Sequence, residues 1–265
     1  MSLDKFSVVI LAGGFGTRIA EYSDFIPKPL VPVGGRPIIA HIIEIFAKQG
    51  LKSFLVAGGY KVEELKKYFS QYHLLNSDFK VNTKTGEVDI LCDRKSGLEI
   101  SIINTGLNTQ TGGRLKRLEP ILNERPFFLT YGDGVSNVNL KNLLHQHKQL
   151  KSYATITAVH PTSRYGKIHM NKKGNVVKFV EKPEFGEDWI NGGFILMEPS
   201  VFKYLSNDND VLETALLQQL AKHGKLGAYK HTGFWKSMDT LRDKRELDKL
   251  AENEELPWMD VESLD

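Results

Sequence analysis

The chain is poor in cysteine, in net charge and in long apolar stretches. Its 265 residues include a single cysteine, Cys92, so no disulfide can form within the chain, and this usage is typical of a reducing compartment. A net charge of +3 gives no support for binding to nucleic acid or to a membrane surface. The first apolar run, 8–11, is too short for a secretory signal or a transmembrane helix. We therefore expect a cytoplasmic protein with no nucleic-acid partner and no membrane partner.

Apolar residues are plentiful and follow a strand–helix rhythm. With 41% hydrophobic residues, a chain of this length can bury the core of one large domain or of two small ones. Short β-rich runs alternate with helical patterns, which is typical of a parallel sheet covered by helices. In the first half, the patterns predict strands at 6–11, 54–57, 100–103 and 127–131. They also predict a helix from Pro37 to Gly50 and a second over 62–72.

The pattern changes after the second predicted helix and changes again in the second half of the chain. The polar segment 76–97 breaks the rhythm and predicts an inserted hairpin. Strands are then predicted at 154–159, 167–170, 176–181 and 190–197, and helices at 211–223 and 240–252. We expect one α/β domain over 1–265, with an elaborated C-terminal half and a C-terminal helical segment over about 240–265.

The first predicted strand ends in a glycine-rich loop, LAGGFGTR, at Leu11–Arg18. Glycine has no Cβ to keep an anion away from backbone N–H groups, and Arg18 adds a forked cation suited to phosphate oxygens. Lys28, between two prolines, adds a second cation. The sequence lacks the GxxxxGK[ST] of a P-loop, and the dinucleotide pattern GxGxxG fails at its third glycine, where Ile19 stands. An ordinary tight turn is the alternative, and the two cations favour a triphosphate site.

Two aspartates are candidate metal ligands. Asp133 follows strand 127–131 in the turn TYGDG, at the sheet edge where open α/β sheets bind ligands. A carboxylate beside a triphosphate suits Mg²⁺, although an Asp-Gly pair is also typical of an Asx turn. Asp239 precedes the helix predicted over 240–252, and its position is compatible with either a metal ligand or a helix N-cap.

Two further groups of polar residues are candidates for binding substrate. The first group precedes Asp133 in the sequence, and the second lies between Asp133 and Asp239. TGGR, at Thr111–Arg114, is a glycine-bearing turn that opens a helix, and its arginine can offer two parallel donors to a carbonyl oxygen. Lys182 of the EKP segment can pair with a phosphate, while Glu181 and Asn191 can bond sugar hydroxyls. Each of these is also typical of an ordinary polar surface when it stands alone.

Taken in order, these segments resemble the sugar-phosphate nucleotidylyltransferases and, more narrowly, the glucose-1-phosphate cytidylyltransferases. The matching segments are LAGGFGTR, the lysine of PKP, TGGRLKR, TYGDGV, EKP, INGGF and GFWKSMDTLRDK, which together span about 8–258. The GGxGTR and EKP elements are shared across the wider family, whereas TGGRLKR, TYGDGV and GFWxxMDTLRDK resemble the cytidylyl branch. The uridylyl and thymidylyl branches carry a glutamine and a Gly-Leu/Thr-Ala turn where this sequence has TGGR.

The resemblance implies a fold and a reaction. The fold is the nucleotide-diphospho-sugar transferase fold, which is α/β and Rossmann-like, with a mixed, mostly parallel sheet flanked by helices. In it, 1–150 would bind the nucleotide and 151–240 the sugar phosphate. The reaction converts CTP and α-D-glucose 1-phosphate into CDP-glucose and pyrophosphate with Mg²⁺ as cofactor, early in the synthesis of dideoxyhexoses or related surface sugars. The resemblance also implies a homo-oligomer, a hexamer being one candidate state.

The family's residue roles transfer to the matching positions. The implied catalytic residues are Arg18, which would contact the triphosphate, Lys28, which would lie between the reacting phosphates, and Asp133. Mg²⁺ would be bound by Asp133 and Asp239. The residues implied to bind substrate are Leu11, Ala12, Gly13, Gly14, Phe15, Gly16, Thr17, Arg18 and Lys28 around the nucleotide, Thr109, Thr111, Gly112 and Arg114 at the cytosine, and Glu181, Lys182, Asn191 and Gly193 at the sugar phosphate.

The chemistry agrees with this set of residues. The attacking phosphate monoester is largely dianionic at neutral pH, with a second pKa of about 6, so it needs alignment and cations rather than a general base. A nucleotidylyltransferase that uses UTP, dTTP or another sugar 1-phosphate stays open. A glycosyltransferase commonly carries Asp-x-Asp, and Val135 stands two residues after Asp133. A non-catalytic sensor would be favoured by loss of Lys28 or of a metal carboxylate, and all are present.

Overall fold

A computed structural model describes residues 3–92, 97–161, 166–181, 188–253 and 255–261. The strands are β1 Ser7–Ala12, β2 Pro32–Val33, β3 Arg36–Pro37, β4 Ser53–Gly58, β5 Asp78–Val81, β6 Val88–Cys92, β7 Glu99–Asn104, β8 Phe127–Tyr131, β9 Gly134–Ser136, β10 Ala154–Val159, β11 Lys167–Met170, β12 Val176–Val180, β13 Ile190–Met197, β14 Leu226–Lys230 and β15 Trp235–Ser237.

The helices are α1 Ala20–Ser23, α2 Ile38–Lys48, α3 Val62–Ser70, α4 Tyr72–Leu75, α5 Thr111–Arg117, α6 Glu119–Leu122, α7 Leu140–Leu150, α8 Gln218–Lys222 and α9 Leu241–Glu252. A π-helix, Leu212–Leu217, leads directly into α8. Short 3-10 helices lie at Leu3–Lys5, Thr17–Ile19, Lys28–Leu30, Pro199–Tyr204 and Pro257–Met259. No helix in the described ranges has the length and apolarity needed to cross a membrane.

The central sheet has seven strands in the order β14-β10-β13-β8-β1-β4-β7. β1 lies parallel to β4 and to β8, and β4 lies parallel to β7. β13 runs antiparallel to both β8 and β10, and β14 returns parallel to β10. The predicted mixed, mostly parallel sheet is confirmed. The predicted division of the chain near residues 150 and 240 stays a prediction.

Alternating side chains of β1 enter two apolar cores, one on each face of the sheet. Val8 and Ile10 pack in one cluster, while Val9 and Leu11 pack in the other. Because both faces are covered, the strand is a continuous apolar run and not an alternating one. The apolar face predicted for the helix after Pro37 is the buried face of α2, so the first half of the fold follows the sequence pattern closely.

The predicted insertion is a hairpin in which β5 pairs antiparallel with β6. Its turn includes Gly86 at φ +79°, a left-handed conformation that glycine adopts without strain. Residues 93–96 of the predicted segment lie outside the described residues. A second hairpin, β11 with β12, follows the prediction for 167–181 to within one residue.

The structure departs from the sequence pattern at several places, among them helix α7 and the edge strand β14, neither of which the pattern predicted. The helix predicted over 211–223 begins as the π-helix Leu212–Leu217, whose wider turn changes the direction of its side chains relative to an α-helix. The strands β9 and β15, three residues each, form a two-stranded ribbon that the pattern did not predict. Strands this short carry too few residues to show a period.

The C-terminal segment packs back onto the core beneath the sheet. Trp258 is fully buried, with its ring centroid 5.6 Å from that of His41 and 5.8 Å from that of Phe234. The Asn137 side-chain amide donates to the Asp260 carbonyl oxygen at 3.0 Å. Residues 257–260 therefore form part of the scaffold beneath the β9–β15 ribbon.

We expect Trp258→Ala to lower the free energy of unfolding by about 3–5 kcal/mol, because it empties a fully buried aromatic site. Trp258→Phe keeps most of the packing and removes an indole N–H that is buried without a partner in the described structure, so its loss should be clearly smaller. Urea unfolding followed by circular dichroism measures both. Equal losses for the two variants would contradict this account of the segment.

Candidate active site

Two adjoining clefts open at the carboxyl ends of the central strands. The first cleft, about 340 Å³, lies between the glycine loop that follows β1 and the segment 107–111. The second cleft, about 330 Å³, lies between the end of β8, the start of β13 and the β15 strand. Tyr131, Asp133 and Asp239 line both clefts. Groups bound in the two clefts would therefore meet at the aspartates.

The glycine loop wraps closely around the base of Lys28. Gly16 has φ +67°, and a Cβ there would lie 3.2 Å from the Cβ atoms of both Lys28 and Ser23. The Ser23 hydroxyl donates to the Gly16 carbonyl oxygen at 3.0 Å, which fixes the turn. Gly14, in contrast, has open space around its α-carbon, so a bound group can approach the backbone there.

Lys28 lies between the two aspartates predicted as metal ligands. Its Nζ donates to Asp133 Oδ2 at 2.6 Å and to Asp239 Oδ1 at 3.0 Å. The Lys28 side chain is 13% exposed and each aspartate side chain is 28% exposed, so these charges are partly shielded from water. Arg18, which is 76% exposed, approaches Asp239 from the solvent side at 3.6 Å.

The charges at this point change the pKa values of two of these groups. Burial disfavours the charged form of Lys28, but its attraction to Asp133 and Asp239 and the hydrogen bonds that it donates to them outweigh burial and raise its pKa. Burial likewise opposes ionisation of Asp239, and Lys28, Ser237 and Arg18 together lower its pKa. Lysine and aspartate are therefore both charged at neutral pH, and each one stabilises the charge of its partner.

Three chain segments meet at Gly132, immediately before Asp133. The Gly132 N–H donates to the Leu11 carbonyl oxygen at 2.9 Å, which joins the end of β8 to the end of β1. A Cβ at Gly132 would lie 2.9 Å from Pro29 Cγ and 3.0 Å from the Leu11 oxygen. Only glycine allows the prolines that flank Lys28 to pack this closely against the turn that carries Asp133.

The β9–β15 ribbon brings the two aspartates together. Gly134 pairs with Ser237, and the Met238 N–H donates to the Asp133 carbonyl oxygen at 2.8 Å. Asp133 and Asp239 therefore flank the same end of the ribbon although they are far apart in sequence. Thr240, not Asp239, caps α9, through a reciprocal pair of hydrogen bonds with Asp243. The N-cap alternative for Asp239 is thus wrong, and its carboxylate is directed at Lys28.

Arg114 is buried behind the first cleft with its donors directed at protein oxygens. Its acceptors are the carbonyl oxygens of Gly58 at 3.2 Å, Gly106 at 2.6 Å, Gly13 at 2.9 Å and Leu107 at 3.2 Å, and the Thr105 hydroxyl at 2.8 Å. Burial lowers its pKa. A Cβ at Gly13 or at Gly59 would lie 2.2 Å from the guanidinium group. Arg114 therefore links the glycine loop, the end of β4 and the segment 105–107, and its contact with a base stays a prediction.

The structure gathers most of the predicted site residues into the first cleft. Its lining includes Leu11, Ala12, Gly13, Gly14, Phe15, Gly16, Thr17, Arg18, Lys28, Thr109, Thr111, Arg114, Asp133 and Asp239. Asn191 lines the second cleft, and Gly193, at φ +84°, lies against the ring of Tyr131.

Two predicted residues do not line either cleft, and a third is not among the described residues. Gly112 lies behind the first cleft, where a Cβ would meet the Asp210 carbonyl oxygen at 2.7 Å. Glu181 is exposed beyond the end of β12, and its position next to a sugar stays a prediction. Lys182 lies outside the described residues.

Several lining residues were not predicted as site residues, although Trp235 and Ser237 stand within the segment GFWKSMDTLRDK and Tyr131 within TYGDGV. Glu213, Trp235 and Ser237 line the second cleft with Tyr131. Trp235 Nε1 donates to the Gly192 carbonyl oxygen at 2.7 Å, which fixes the start of β13. Burial and the neighbouring Glu213 raise the pKa of Tyr131 well above its usual value, so its phenol stays protonated and donates to that carboxylate. The available signal for Glu213 was a carboxylate inside the apolar segment VLETALL.

Comparison with known proteins shows the family to which the chain belongs. A family model for nucleotidyl transferases matches residues 7–264. The chain is 40% identical over 251 residues to a glucose-1-phosphate cytidylyltransferase from Salmonella typhimurium, covering 94% of this chain and 97% of that protein. It is 37% identical over 251 residues to a probable glucose-1-phosphate cytidylyltransferase from Bacillus subtilis, covering 94% and 98%. A solved structure, HddC from Yersinia pseudotuberculosis, matches with a TM-score of 0.68 at 22% identity over 92% of this chain and 98% of that chain, which supports the fold alone.

We expect Arg114→Ala to lower the free energy of unfolding by about 3 kcal/mol, because it removes all the hydrogen bonds that the buried guanidinium group makes to the glycine loop, to the end of β4 and to the segment 105–107. Arg117→Ala is the matched control on the same helix, because its pair with Asp208 lies at the surface, where water screens the two charges, and should contribute little to stability. Urea unfolding gives both values. Hydrogen exchange at Gly13 and Leu107 should increase in the first variant alone. Similar values for the two variants would contradict the linking role of Arg114.

Proposed function

Because the chain belongs to the nucleotidyl transferase family, as its motifs predicted, we propose that it transfers a cytidylyl group from CTP to α-D-glucose 1-phosphate. The products are CDP-glucose and pyrophosphate. The observation that carries this proposal is the ion cluster of Lys28, Asp133 and Asp239 at the junction of the two clefts. Relatives at 37–40% identity over 94% of the chain, which carry this activity in their names, support the choice of base and sugar.

In this proposal, the first cleft binds CTP and the second binds the sugar phosphate. The glycine loop offers backbone N–H groups to the triphosphate, and Arg18 is exposed enough to turn toward its oxygens. The glucose 1-phosphate dianion attacks the α-phosphorus, a new P–O bond forms, and the bond to the β-phosphate oxygen breaks with release of pyrophosphate. No proton has to be removed from the nucleophile, so the protein acts by alignment and by charge.

Mg²⁺ is the proposed cofactor, and the residues present fit it. Asp133 and Asp239 direct oxygens to one point, and Mg²⁺ is typically held by one or two carboxylates together with phosphate oxygens and water. In the described ranges no group of three or more His, Cys, Asp or Glu side chains could bind a metal without substrate. When bound, the ion would neutralise charge on the reacting phosphates. Lys28, which now bonds to both carboxylates, would then be free to bond to phosphate oxygens.

We also propose a homo-oligomer in a cytoplasmic compartment. Support for association comes from the inserted hairpin and the helix before it, whose exposed apolar side chains include Leu75 at 59%, Phe79 at 45% and Leu91 at 68% exposure. The nucleotide substrate and the single cysteine agree with the compartment. The hexamer and the use of CDP-glucose for surface dideoxyhexoses rest on the family resemblance. Light scattering after size exclusion measures the oligomeric state.

With glucose 1-phosphate and Mg²⁺, we expect CTP to support pyrophosphate release at least about tenfold faster than UTP, dTTP or ATP at equal concentration, a difference of about 1.4 kcal/mol in the barrier. Identification of CDP-glucose by mass spectrometry confirms the product.

Lys28→Ala and Asp133→Asn should each lose at least about 100-fold in kcat while the thermal transition persists. A clear preference for UTP or dTTP would contradict the cytidylyl assignment, and wild-type rates in either variant would contradict the assigned roles.

We expect Lys28→Ala to bind Mn²⁺ more tightly than the wild type in the absence of nucleotide, by about tenfold or more. The variant leaves Asp133 and Asp239 facing each other without the lysine that now neutralises them. Electron paramagnetic resonance of free Mn²⁺ measures the affinity without any turnover. Asp239→Asn in the Lys28→Ala background is the control, and it should abolish the gain. Equal Mn²⁺ affinity in the wild type and Lys28→Ala would contradict a shared site.

A further inference from the structure

Glu213 lies between the two clefts and bonds to residues that line them. Glu213 is the second residue of the π-helix Leu212–Leu217, and it lines the second cleft. π-helical turns are rare and frequently lie at functional sites, because they re-aim a side chain that an α-helix would direct elsewhere. The turn is anchored on the first cleft, since the Leu212 N–H donates to the Thr111 hydroxyl at 2.9 Å.

The carboxylate of Glu213 bonds to a lining residue of each cleft. The Tyr131 hydroxyl donates to Glu213 Oε1, and the Thr111 hydroxyl lies 3.4 Å from Glu213 Oε2. Tyr131 lines both clefts, and its ring packs against Gly193 at the start of β13. Glu213 thus has a fixed orientation in the second cleft before any ligand binds.

These bonds do not exhaust the hydrogen-bonding capacity of Glu213. An ionised carboxylate has about four lone-pair positions on its two oxygens, and one protein hydroxyl bonds to each oxygen. The remaining positions can accept from hydroxyl donors, and a hexose is a polyol that supplies such donors. Apart from the two aspartates that bond to Lys28, Glu213 is the carboxylate that lines the second cleft in the described part of the chain.

We propose that Glu213 is a sugar-specificity residue, which accepts a hydrogen bond from one hydroxyl of the hexose and orients Tyr131 against the sugar ring. This inference rests on the proposed function, since it takes the second cleft as the sugar site. The proposed role means that a residue outside the EKP and INGGF segments takes part in recognising the hexose. It also links the two substrates, because the same carboxylate bonds to Thr111 at the first cleft.

The test measures kcat/KM at saturating CTP for glucose 1-phosphate and for its 2-, 3-, 4- and 6-deoxy analogues. In the wild type, we expect the analogue that lacks the bonded hydroxyl to lose roughly 10- to 100-fold, as expected for a hydrogen bond to a charged group. In Glu213→Ala, that analogue and glucose 1-phosphate should be used within about threefold of each other. The other analogues should keep their wild-type ratios in the variant.

Each ratio compares two substrates on one variant, so it does not depend on the fraction of protein that is folded. Glu213→Gln keeps the side-chain size and should give an intermediate ratio. Thr214→Ala, an exposed neighbour on the same turn, is the matched control and should keep every wild-type ratio. Unchanged ratios in Glu213→Ala, or an equal loss for every analogue, would overturn the role of Glu213 alone. A wild type that does not turn over glucose 1-phosphate would overturn the proposed function as well.

Discussion

The ion cluster of Lys28 with Asp133 and Asp239 is the interaction on which the site depends. A partly buried lysine is stable only beside compensating negative charge, and two facing carboxylates are stable only with a cation between them. The three residues come from the 3-10 helix Lys28–Leu30, the turn after β8 and the turn after β15, so the cluster forms only when the sheet and the β9–β15 ribbon are both in place.

The scaffold around this cluster is built from glycines and one buried arginine. Gly132 lets the segment around Lys28 pack against the turn that carries Asp133, and Gly16 lets the loop fold over the base of Lys28. Arg114 bonds to carbonyl oxygens of three separate segments, which fixes the shape of the first cleft without leaving its donors directed into solvent. Glu213 then connects that cleft to the second through hydroxyls on both sides.

Much of the fold and most of the first cleft could be predicted from the sequence. Buried parallel strands are apolar runs, so β1, β4, β7 and β8 were located to within one residue at most ends. The glycine loop and Asp133 follow those strands directly, which placed both of them at one edge of the sheet. The β9–β15 ribbon and the π-helix were missed because three-residue strands and a single wide turn leave no period, and with them the position of Glu213 was missed.

By itself, the sequence determined the strand–helix rhythm and the phosphate-binding character of the loop at Leu11–Arg18, because each of these depends on residues close together in the chain. It also determined the family, because each matching motif is short and the motifs follow one another in order along the chain. Only the tertiary structure decided which aspartate pairs with which cation, and that Arg114 bonds to the Gly13 carbonyl oxygen of the glycine loop. These outcomes depend on groups more than a hundred residues apart, whose contacts are set by strand order and ribbon register, and no local pattern encodes those distances.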